Sequence, residues 1–302
     1  MEEIIRINHL HRSFGNVHAV NDLSFKVKKG EFFAFLGING AGKSTTISIM
    51  CGELKRDSGE VVIDDKNIDT DMNKIRRKLG VVYQENVLDK VLTVRDNLKF
   101  RAAMYGITGN AFESKLQELG ELLDFKDILD RVYGKLSGGQ KRRIDIARAL
   151  FHDPEILILD EPTTGLDPKT RKLVWSVIHK YRIERNLTVF LTTHYMEEVA
   201  DADYIVILNQ GVIVAEGTPL DLKNEYVGDF INLYGVSEDM VKKLGYKHEA
   251  IPDGFRIEVE NTETAAVLIK KHPEIFKDFE VIKGKMDDVF LNATGIKLGG
   301  NE

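Results

Sequence analysis

The sequence predicts an α/β protein built on a buried parallel sheet, followed by a smaller α+β domain. Two apolar runs, at residues 32–36 and 156–159, are short and uninterrupted, as in strands that are buried on both faces. The first run leads into a glycine-rich loop, and the second leads into a pair of carboxylates. Because open α/β sheets bind ligands beyond the carboxyl ends of their strands, both runs indicate a binding site at one edge of the sheet.

The loop at residues 37–44 has the form G-x-x-x-x-G-K-S and precedes a predicted helix. Glycines let the backbone curl so that N–H groups face phosphate oxygens, and the helix N-terminus adds positive potential. Lys43 can reach the β- and γ-phosphates, and the Ser44 hydroxyl can hold Mg²⁺. The strand and helix on either side disfavour a plain glycine-rich turn. The residues expected to bind the phosphates of a nucleotide here are Gly37, Ile38, Asn39, Gly40, Ala41, Gly42, Lys43, Ser44, Thr45 and Thr46.

Two acidic residues, Asp160 and Glu161, end the second apolar run. Asp160 would emerge at the carboxyl end of its strand, where it could hold Mg²⁺ through water. Glu161, one residue later, could polarise an attacking water. Alone, such a pair would be interpreted as solvated acids at a strand end. Beside a phosphate-binding loop, the catalytic hypothesis is favoured.

A third motif, Leu-Ser-Gly-Gly-Gln at residues 136–140, precedes a helix. Ser137 and Gln140 have the spacing of a capping box, which accounts for both polar side chains. The box does not account for Gly138 and Gly139, because adjacent glycines in a first turn cost helix stability. Glycines are expected there if the backbone must approach a ligand closely, since a helix N-terminus is an anion site.

The three motifs in this order resemble those of ABC-family ATPase subunits, and the similarity continues to about residue 220. The resemblance implies a P-loop NTPase core with an antiparallel β subdomain and a helical insert. Gln84 matches the family's glutamine that touches Mg²⁺ and water, Asp167 lies in the matching D-loop, and His194 matches the switch histidine at the γ-phosphate. Phe14 stands where the family usually has a tyrosine that stacks on adenine, and it keeps the π face.

The resemblance also implies how the ATP site is composed. The catalytic residues would be Glu161, His194 and Lys43. Ser44, Gln84 and Asp160 would hold Mg²⁺, the expected cofactor. The γ-phosphate of a second subunit, either another copy or a paralogous ATPase chain, would be contacted by Ser137, Gly138, Gly139 and Gln140. A separate transmembrane permease would be the partner that the ATPase drives.

Several elements between the motifs are predicted from periodicity and capping residues. Residues 3–36 are expected to alternate short strands with turns. Thr93 and Asn110 each precede an apolar-periodic segment and are predicted to cap helices. With the helix after Ser137, these helices would form the insert, at about residues 86–153.

Two further segments are expected to lie near the site. The strand at residues 188–192 leads to His194, which is predicted to lie near the start of a helix. Residues 85–92 are a loop with several apolar side chains. These side chains either pack onto the helical insert or form a groove for a helix of the membrane partner, and the sequence leaves both interpretations open.

Composition excludes several classes of protein. The 302 residues carry 42 Lys and Arg against 48 Asp and Glu, a net charge of −6, which argues against a nucleic-acid-binding surface. The basic run at residues 141–143 is therefore interpreted as a solvated or ion-paired helix face. The single cysteine, Cys51, fits a reducing compartment. No run reaches the roughly 18 apolar residues of a membrane span. A peripheral location on the cytoplasmic face of a membrane is expected.

From residue 226 the pattern changes to βαββαβ, which predicts a ferredoxin-like α+β domain. The expected domains are an ATP-binding domain at 1–224 and an accessory domain at 226–302, and the latter contains no catalytic constellation. Its final segment resembles those of drug- and antibiotic-exporter ATPases. The function expected is therefore ATP hydrolysis that energises export through ATP-driven dimerisation.

Three alternatives remain. An importer ATPase is the nearest, although importer tails tend to be regulatory barrels and the pattern of this tail is not all-β. A soluble ABC ATPase acting on DNA or ribosomes would need a long coiled coil or two cassettes, and the chain has one cassette and no heptad run. A nucleotide-responsive binding module without turnover is disfavoured by the presence of both Glu161 and His194.

Overall fold

The computed structural model describes residues 2–295, and it divides into two compact units. The first unit runs through His194 and also includes Leu208–Ile213. The second unit contains Tyr195–Ile207 and the chain from Val214 onward. The predicted domain boundary at 224/226 stays a prediction, and residues 296–302 of the predicted accessory domain lie outside the described residues.

The first unit contains, in chain order, the strands and helices β1 Glu3–Phe14, β2 Val17–Lys28, β3 Phe32–Gly37, α1 Lys43–Met50, β4 Ser58–Ile63, β5 Lys66–Asn67, α2 Ile68–Arg76, β6 Leu79–Val82, α3 Val94–Ala103, α4 Gly109–Leu122, α5 Gly138–Leu150, β7 Ile156–Asp160, α6 Pro168–Arg185 and β8 Thr188–Thr193. The two strands that contain residues of both units are β9 Tyr204–Asn209 and β10 Val212–Gly217. The second unit continues with α7 Pro219–Tyr226, β11 Asp229–Tyr234, α8 Glu238–Lys242, β12 His248–Ile251, β13 Gly254–Val259, α9 Thr262–Lys271, β14 Phe279–Lys283 and α10 Met286–Thr294.

The first unit is organised around parallel strands in the order β3-β8-β7-β6. Every residue of β3, β7 and β8 is buried, and the uninterrupted apolar runs had predicted this for β3 and β7. Stacked aromatic rings contribute to the core beside them, with the centroids of Phe33 and Phe190 lying 5.3 Å apart. The predicted α/β architecture is confirmed, and the carboxyl ends of β3, β7 and β8 open at one edge of this sheet.

The N-terminal strands are longer than the sequence suggested. β1 and β2 are each 12 residues long and form an antiparallel sheet with β4 and β5 in the order β2-β1-β4-β5. Register shifts interrupt the β1–β2 pairing, and His9 and Asp22 adopt positive φ angles of 47° and 58°. These irregularities break the alternation of apolar and polar residues, so the sequence pattern resembles that of several short strands.

The predicted helix caps have different outcomes. Thr93 caps α3 by accepting a hydrogen bond from the backbone N–H of Asp96. The predicted cap at Asn110 is wrong, because α4 begins at Gly109, with Thr108 at the N-cap position and no side-chain capping bond. The helix expected beside His194 is a single 3₁₀ turn, Met196–Val199.

The single cysteine lies at the end of α1. Cys51 is the C-cap residue of this helix, and only 5% of its surface is exposed. Burial, with a smaller contribution from the charge of Glu53, raises the pKa of the thiol to about 12. Cys51 is therefore a core residue of the first unit.

The C-terminal part of the second unit has the predicted βαββαβ order. Its four strands form an antiparallel sheet in the order β12-β13-β11-β14, which places the first and third strands of the motif at the centre. One face carries the core, which includes Ile231, Leu233, Ile257 and Val259 together with Leu268 of α9. Among the described residues, no helix has the length and apolar character needed to cross a bilayer.

Candidate active site

The glycine-rich loop that joins β3 to α1 is shaped by close contacts within the chain. Gly42 has φ 103°, and a Cβ atom built on it would lie 2.3 Å from the Ala19 carbonyl oxygen. Gly40 also has a left-handed φ, of 84°. Only glycine adopts a left-handed φ easily and also leaves room where a Cβ atom would clash. The loop backbone can therefore curl at the start of α1, as the motif predicted.

Lys43 is almost completely buried beneath this loop. Its Nζ atom donates hydrogen bonds to the carbonyl oxygens of Gly37 at 2.7 Å and Ile38 at 3.1 Å. The nearest carboxylate oxygen of Glu161 lies 3.7 Å from Nζ. Burial lowers the pKa of Lys43, and the charges of Glu161 and Asp160 oppose this shift. The ammonium group is thus held at the centre of the phosphate-binding loop.

Glu161 is the point at which the predicted catalytic side chains meet. Its Oε1 atom lies 3.2 Å from Nδ1 of His194, which follows the neighbouring strand β8. Its Oε2 atom accepts a hydrogen bond from the Gln84 amide at 3.3 Å and one from the Thr164 hydroxyl at 3.4 Å. Residues far apart in the chain therefore converge on one buried carboxylate.

The backbone of Glu161 is also unusual. Its φ angle is 46°, a left-handed conformation that is sterically costly for a residue with a Cβ atom. The backbone N–H of Glu161 donates to the Thr192 carbonyl oxygen at 3.0 Å, which extends the pairing of β7 with β8 by one residue. Strain of this kind occurs at functional sites where the surroundings hold it in place.

Asp160, the last residue of β7, lies beside the predicted magnesium ligand Ser44. Its Oδ1 atom accepts hydrogen bonds from the Thr192 hydroxyl at 2.5 Å and the Ser44 hydroxyl at 3.3 Å. Within residues 2–295, no group of three or more His, Cys, Asp or Glu residues is arranged to hold a metal ion. A hydroxyl and one carboxylate are oxygen donors of the kind Mg²⁺ takes when substrate phosphates and water complete its shell.

Two predicted ATP-binding residues are engaged within the chain. The Thr46 hydroxyl donates to the Gly42 carbonyl oxygen at 2.9 Å, and the side chain is fully buried. Phe14 is 48% exposed, at the end of the β1–β2 hairpin, and the Arg12 guanidinium lies 4.7 Å from its ring centroid. This hairpin adjoins the phosphate loop through Ala19. The stacking of Arg12 on Phe14 was not expected from the sequence.

The Ser-Gly-Gly-Gln segment forms the predicted capping box at the start of α5. The Ser137 hydroxyl accepts from the backbone N–H of Gln140, and the Gln140 side chain accepts from the backbone N–H of Ser137. A Cβ atom at Gly138 would meet nothing within 4 Å, so packing within the chain does not require glycine there. In the described part of the chain, no hydrogen bond or ion pair joins residues 137–140 to residues 37–46.

The D-loop residue Asp167 lies close to this segment. A Cβ atom at Gly139 would lie 3.3 Å from the Thr170 hydroxyl and 3.6 Å from a carboxylate oxygen of Asp167. Asp167 caps α6 by accepting hydrogen bonds from the side chain and backbone of Thr170, and these bonds lower the pKa of its carboxyl group. Two predicted nucleotide-contacting segments therefore share one region of the surface.

One residue of the basic run departs from the prediction of a solvated or ion-paired helix face. Arg143 pairs with Asp124 at 2.9 Å, as expected for an ion pair. Arg142 is only 5% exposed and donates to the carbonyl oxygens of Tyr83 and Glu161. A signal was present in the sequence: Arg142 lies four residues before Ile146 and so shares the buried face of α5.

Comparisons with known proteins agree with this geometry. The sequence model of the ABC transporter family matches residues 20–164. The chain is 36% identical over 297 residues to a Nod factor export ATP-binding protein of Bradyrhizobium diazoefficiens, covering 95% of each chain. It is 34% identical over 314 residues to a linearmycin resistance ATP-binding protein of Bacillus subtilis, covering 98% of this chain and 99% of that protein.

A solved structure is also similar over the nucleotide-binding part. A dimeric ATP-binding cassette in a post-hydrolysis state with ADP and Pi superimposes with a TM-score of 0.66 at 28% sequence identity. The superposition covers 71% of this chain and 98% of that chain.

Proposed function

Since this chain belongs to the ABC transporter family and is an ATP-binding, ATP-hydrolysing subunit, we propose that it energises a membrane export complex. ATP would be bound and hydrolysed between two ATPase chains, and a separate permease would carry the cargo. The observation that carries the proposal is the convergence of Lys43, Gln84 and His194 on the buried carboxylate of Glu161.

The arrangement suits phosphoryl transfer, which needs positioning and charge stabilisation more than covalent chemistry. The loop N–H groups and Lys43 would hold the β- and γ-phosphates. Glu161 would orient and polarise the attacking water, and its carboxylate is already placed by the amide of Gln84. His194 would contact the γ-phosphate from the end of β8, where its imidazole ring lies beside Glu161.

The donor groups near Ser44 and Asp160 fit a magnesium ion that arrives with the nucleotide. The Ser44 hydroxyl and the Asp160 carboxylate would hold it, with the amide oxygen of Gln84 as a third protein group. Thr192 orients Asp160 through a short hydrogen bond. When bound, the ion supplies positive charge that offsets the charge on the phosphates during transfer.

Export, as the direction of transport, is supported by the extent of the similarity. The Nod factor and linearmycin relatives are named for export and for drug resistance, and each match spans at least 95% of both chains. It therefore includes most of the C-terminal α+β domain as well as the ATPase cassette. An importer subunit and a soluble ABC ATPase remain the alternatives, and purification from membranes distinguishes them.

Exposed apolar side chains in the helical part of the first unit would receive the permease. They are Val91, Phe100 and Met104, whose exposed fractions are 78%, 63% and 73%. Phe100 and Met104 lie one helical turn apart. Leu88, in the same loop as Val91, is buried, so packing accounts for part of this loop and the exposed residues are left for a partner.

Purification of the full chain from detergent-solubilised membranes tests the transport assignment. Co-purification of a multi-span membrane protein without a substrate-binding protein supports export. A substrate-binding lipoprotein in the complex would favour import. Ribosomes or DNA in place of a membrane protein would overturn the transport assignment while leaving the ATPase in place.

The two-chain site is tested by mixing two inactive variants. Lys43→Ala removes the phosphate-loop cation, and Gly139→Asp places a carboxylate on the capping segment next to Asp167. A mixed dimer contains one site with both lesions and one intact site. At random mixing, half the dimers are mixed, so the rate should reach about a quarter of wild type if sites act independently. Mixed dimers that form and stay inactive would count against a shared site.

A further inference from the structure

We propose that Arg142 is a positioning residue for ATP hydrolysis, which fixes the backbones of Glu161 and of the segment before Gln84 within its own chain. The inference rests on the proposed roles of Glu161 and Gln84. The proposal adds a link between two sites. The N-terminus of α5 would contact the partner's nucleotide, and the Arg142 guanidinium connects the same helix to Glu161 in the site of its own chain.

The guanidinium of Arg142 bridges two loops that have no direct link in sequence. Nη1 donates to the Tyr83 carbonyl oxygen at 2.5 Å, and Nη2 donates to the Glu161 carbonyl oxygen at 2.7 Å. Tyr83 directly precedes Gln84, whose amide donates to the Glu161 carboxylate. The contacts therefore close a ring from Arg142 through Tyr83 and Gln84 to Glu161 and back.

Glu161 is the member of this ring that most needs an external constraint. Its left-handed backbone is unfavourable for an L residue, so the position of the carboxylate depends on the contacts that hold the peptide. Its carbonyl oxygen otherwise accepts only a long bond of 3.4 Å from the backbone of Thr164 among the described contacts. A charge-assisted bond of 2.7 Å from Arg142 is the stronger constraint.

The chemistry of arginine suits this role. A guanidinium is planar, stays charged when buried, and presents N–H groups in a fixed fork that can reach two acceptors at once. A buried cation without partners would be very costly, and here backbone carbonyls supply the compensation. Lysine carries the same charge on a compact ammonium group and lacks the rigid planar fork, so it would not reproduce the geometry in which two separate nitrogens each hold one carbonyl group.

Neighbouring arginines on the same helix provide matched comparisons. Arg148 donates to the Val81 carbonyl oxygen within β6, which is a scaffold contact away from Glu161. Arg143 donates to the carbonyl oxygen of Leu123 and pairs with Asp124. Neither contacts the peptide of Glu161, and Arg143 lies directly beside Arg142 in the sequence. Arg143 is therefore the control for loss of a guanidinium from α5.

The first test measures steady-state ATP hydrolysis and nucleotide binding for Arg142→Ala, Arg142→Lys and Arg143→Ala. We expect Arg142→Ala to lower kcat by roughly 10- to 100-fold with KM changed by less than about threefold, because misplacing a catalytic group affects the transition state more than binding. Arg142→Lys should recover little, and Arg143→Ala should keep kcat near wild type. Added guanidinium ion should partly restore Arg142→Ala and leave Arg143→Ala unchanged.

Two results from the first test would overturn the proposal. One is an unchanged kcat in a folded Arg142→Ala protein. The other is full recovery by Arg142→Lys, since that would show that charge alone suffices. If Arg142→Ala does not fold, Arg142→Gln, which keeps a planar donor group, takes its place with the same expectations.

The second test asks which chain's site depends on Arg142. In the mixed dimer of Lys43→Ala and Gly139→Asp chains, the intact site uses the phosphate loop of the Gly139→Asp chain. Adding Arg142→Ala to that chain should lower the recovered activity by the same factor as in the first test, whereas adding it to the Lys43→Ala chain should lower the activity far less. The opposite pattern would mean that Arg142 acts on the partner's nucleotide and would overturn the proposal.

The two tests separate failure of this proposal from failure of the shared site. If Lys43→Ala and Gly139→Asp chains form mixed dimers without recovered activity, the two-chain site is wrong. The kcat of the Arg142 variants in unmixed protein still decides whether Arg142 positions Glu161.

Discussion

Charged side chains are buried beside the parallel strands of the first unit, whereas they are mostly exposed on the antiparallel sheet of the C-terminal domain. In the first, Asp160 and Glu161 are buried at the end of β7, and the buried Lys43 at the start of α1 lies beside Glu161. In the second, exposed ion pairs such as that between Lys247 and Glu258 flank the strands. Burial of charge is costly, so a cluster of buried charges is where we expect a functional site.

Asp229 is an exception in the second sheet, because it is a charged residue that is buried. It is fully buried at the start of β11, where it accepts a hydrogen bond from the Thr262 hydroxyl at 2.5 Å and pairs with Lys283 at 3.0 Å. Both partners come from the same small domain, and no second acid, nucleophile or imidazole joins them in the described contacts. We therefore expect a structural role for this carboxylate, and amino-acid substitutions in both sheets can test that contrast.

The largest effect is expected for Glu161→Gln. The amide keeps the shape of the side chain but cannot take up or polarise a proton, so turnover should fall by roughly 10²- to 10⁴-fold. ATP binding should remain, and the ATP-bound variant should elute as a dimer on size exclusion. Turnover close to that of wild type would remove Glu161 from its catalytic role.

A smaller effect is expected for Phe14→Ala. Aromatic stacking on a base contributes roughly 1–3 kcal/mol, so ATP affinity should weaken by about 5- to 150-fold. Phe14→Tyr should bind ATP as well as wild type or better. Equal affinities for all three proteins, measured by titration calorimetry, would mean that Phe14 only packs against Arg12.

Asp229→Asn should separate stability from catalysis. Loss of the buried ion pair with Lys283 should lower the free energy of unfolding of the small domain by roughly 1–3 kcal/mol. ATP turnover should stay within about twofold of wild type. Denaturant unfolding and steady-state kinetics measure the two quantities. A large loss of turnover in a folded Asp229→Asn protein would show that this carboxylate is not purely structural.

The smallest effect on nucleotide binding is expected for truncation after residue 224. Every predicted nucleotide-contacting residue precedes this point, so ATP affinity should change little. The cut removes α10, which packs against α7 and donates from Asn292 to the Tyr226 carbonyl oxygen. A second truncation after Gly217, which also removes α7, controls for an exposed apolar face. Loss of ATP binding in both folded products would show that the tail belongs to the ATPase core.

Features set by local sequence could be predicted. The phosphate loop, the Ser137 capping box and the βαββαβ order each depend on residues that are close in the chain, so spacing alone indicates them. The buried strands at residues 32–36 and 156–159 were similarly clear, because an uninterrupted apolar run predicts burial on both faces. Their meeting around Glu161 followed from the rule that parallel strands end at one edge.

Features set by distant backbone groups could not be predicted. Arg142 binds carbonyl oxygens 59 and 19 residues away. Every residue has a backbone carbonyl group, so the sequence does not show which of them accepts the bond. The start of α4 was misplaced for a related reason. Thr108 takes the N-cap position without a side-chain bond, so the stronger capping propensity of Asn110 gave the wrong residue.

The buried thiol of Cys51 makes the natural chain suitable for site-specific labelling. Burial raises the pKa of this thiol to about 12, so it stays protonated at neutral pH, and the side chain is shielded as well. A maleimide dye or spin label would therefore react almost only with a cysteine introduced at an exposed position such as Val91. Distances between the two subunits of a dimer could then be followed through the ATP cycle without first removing the native cysteine.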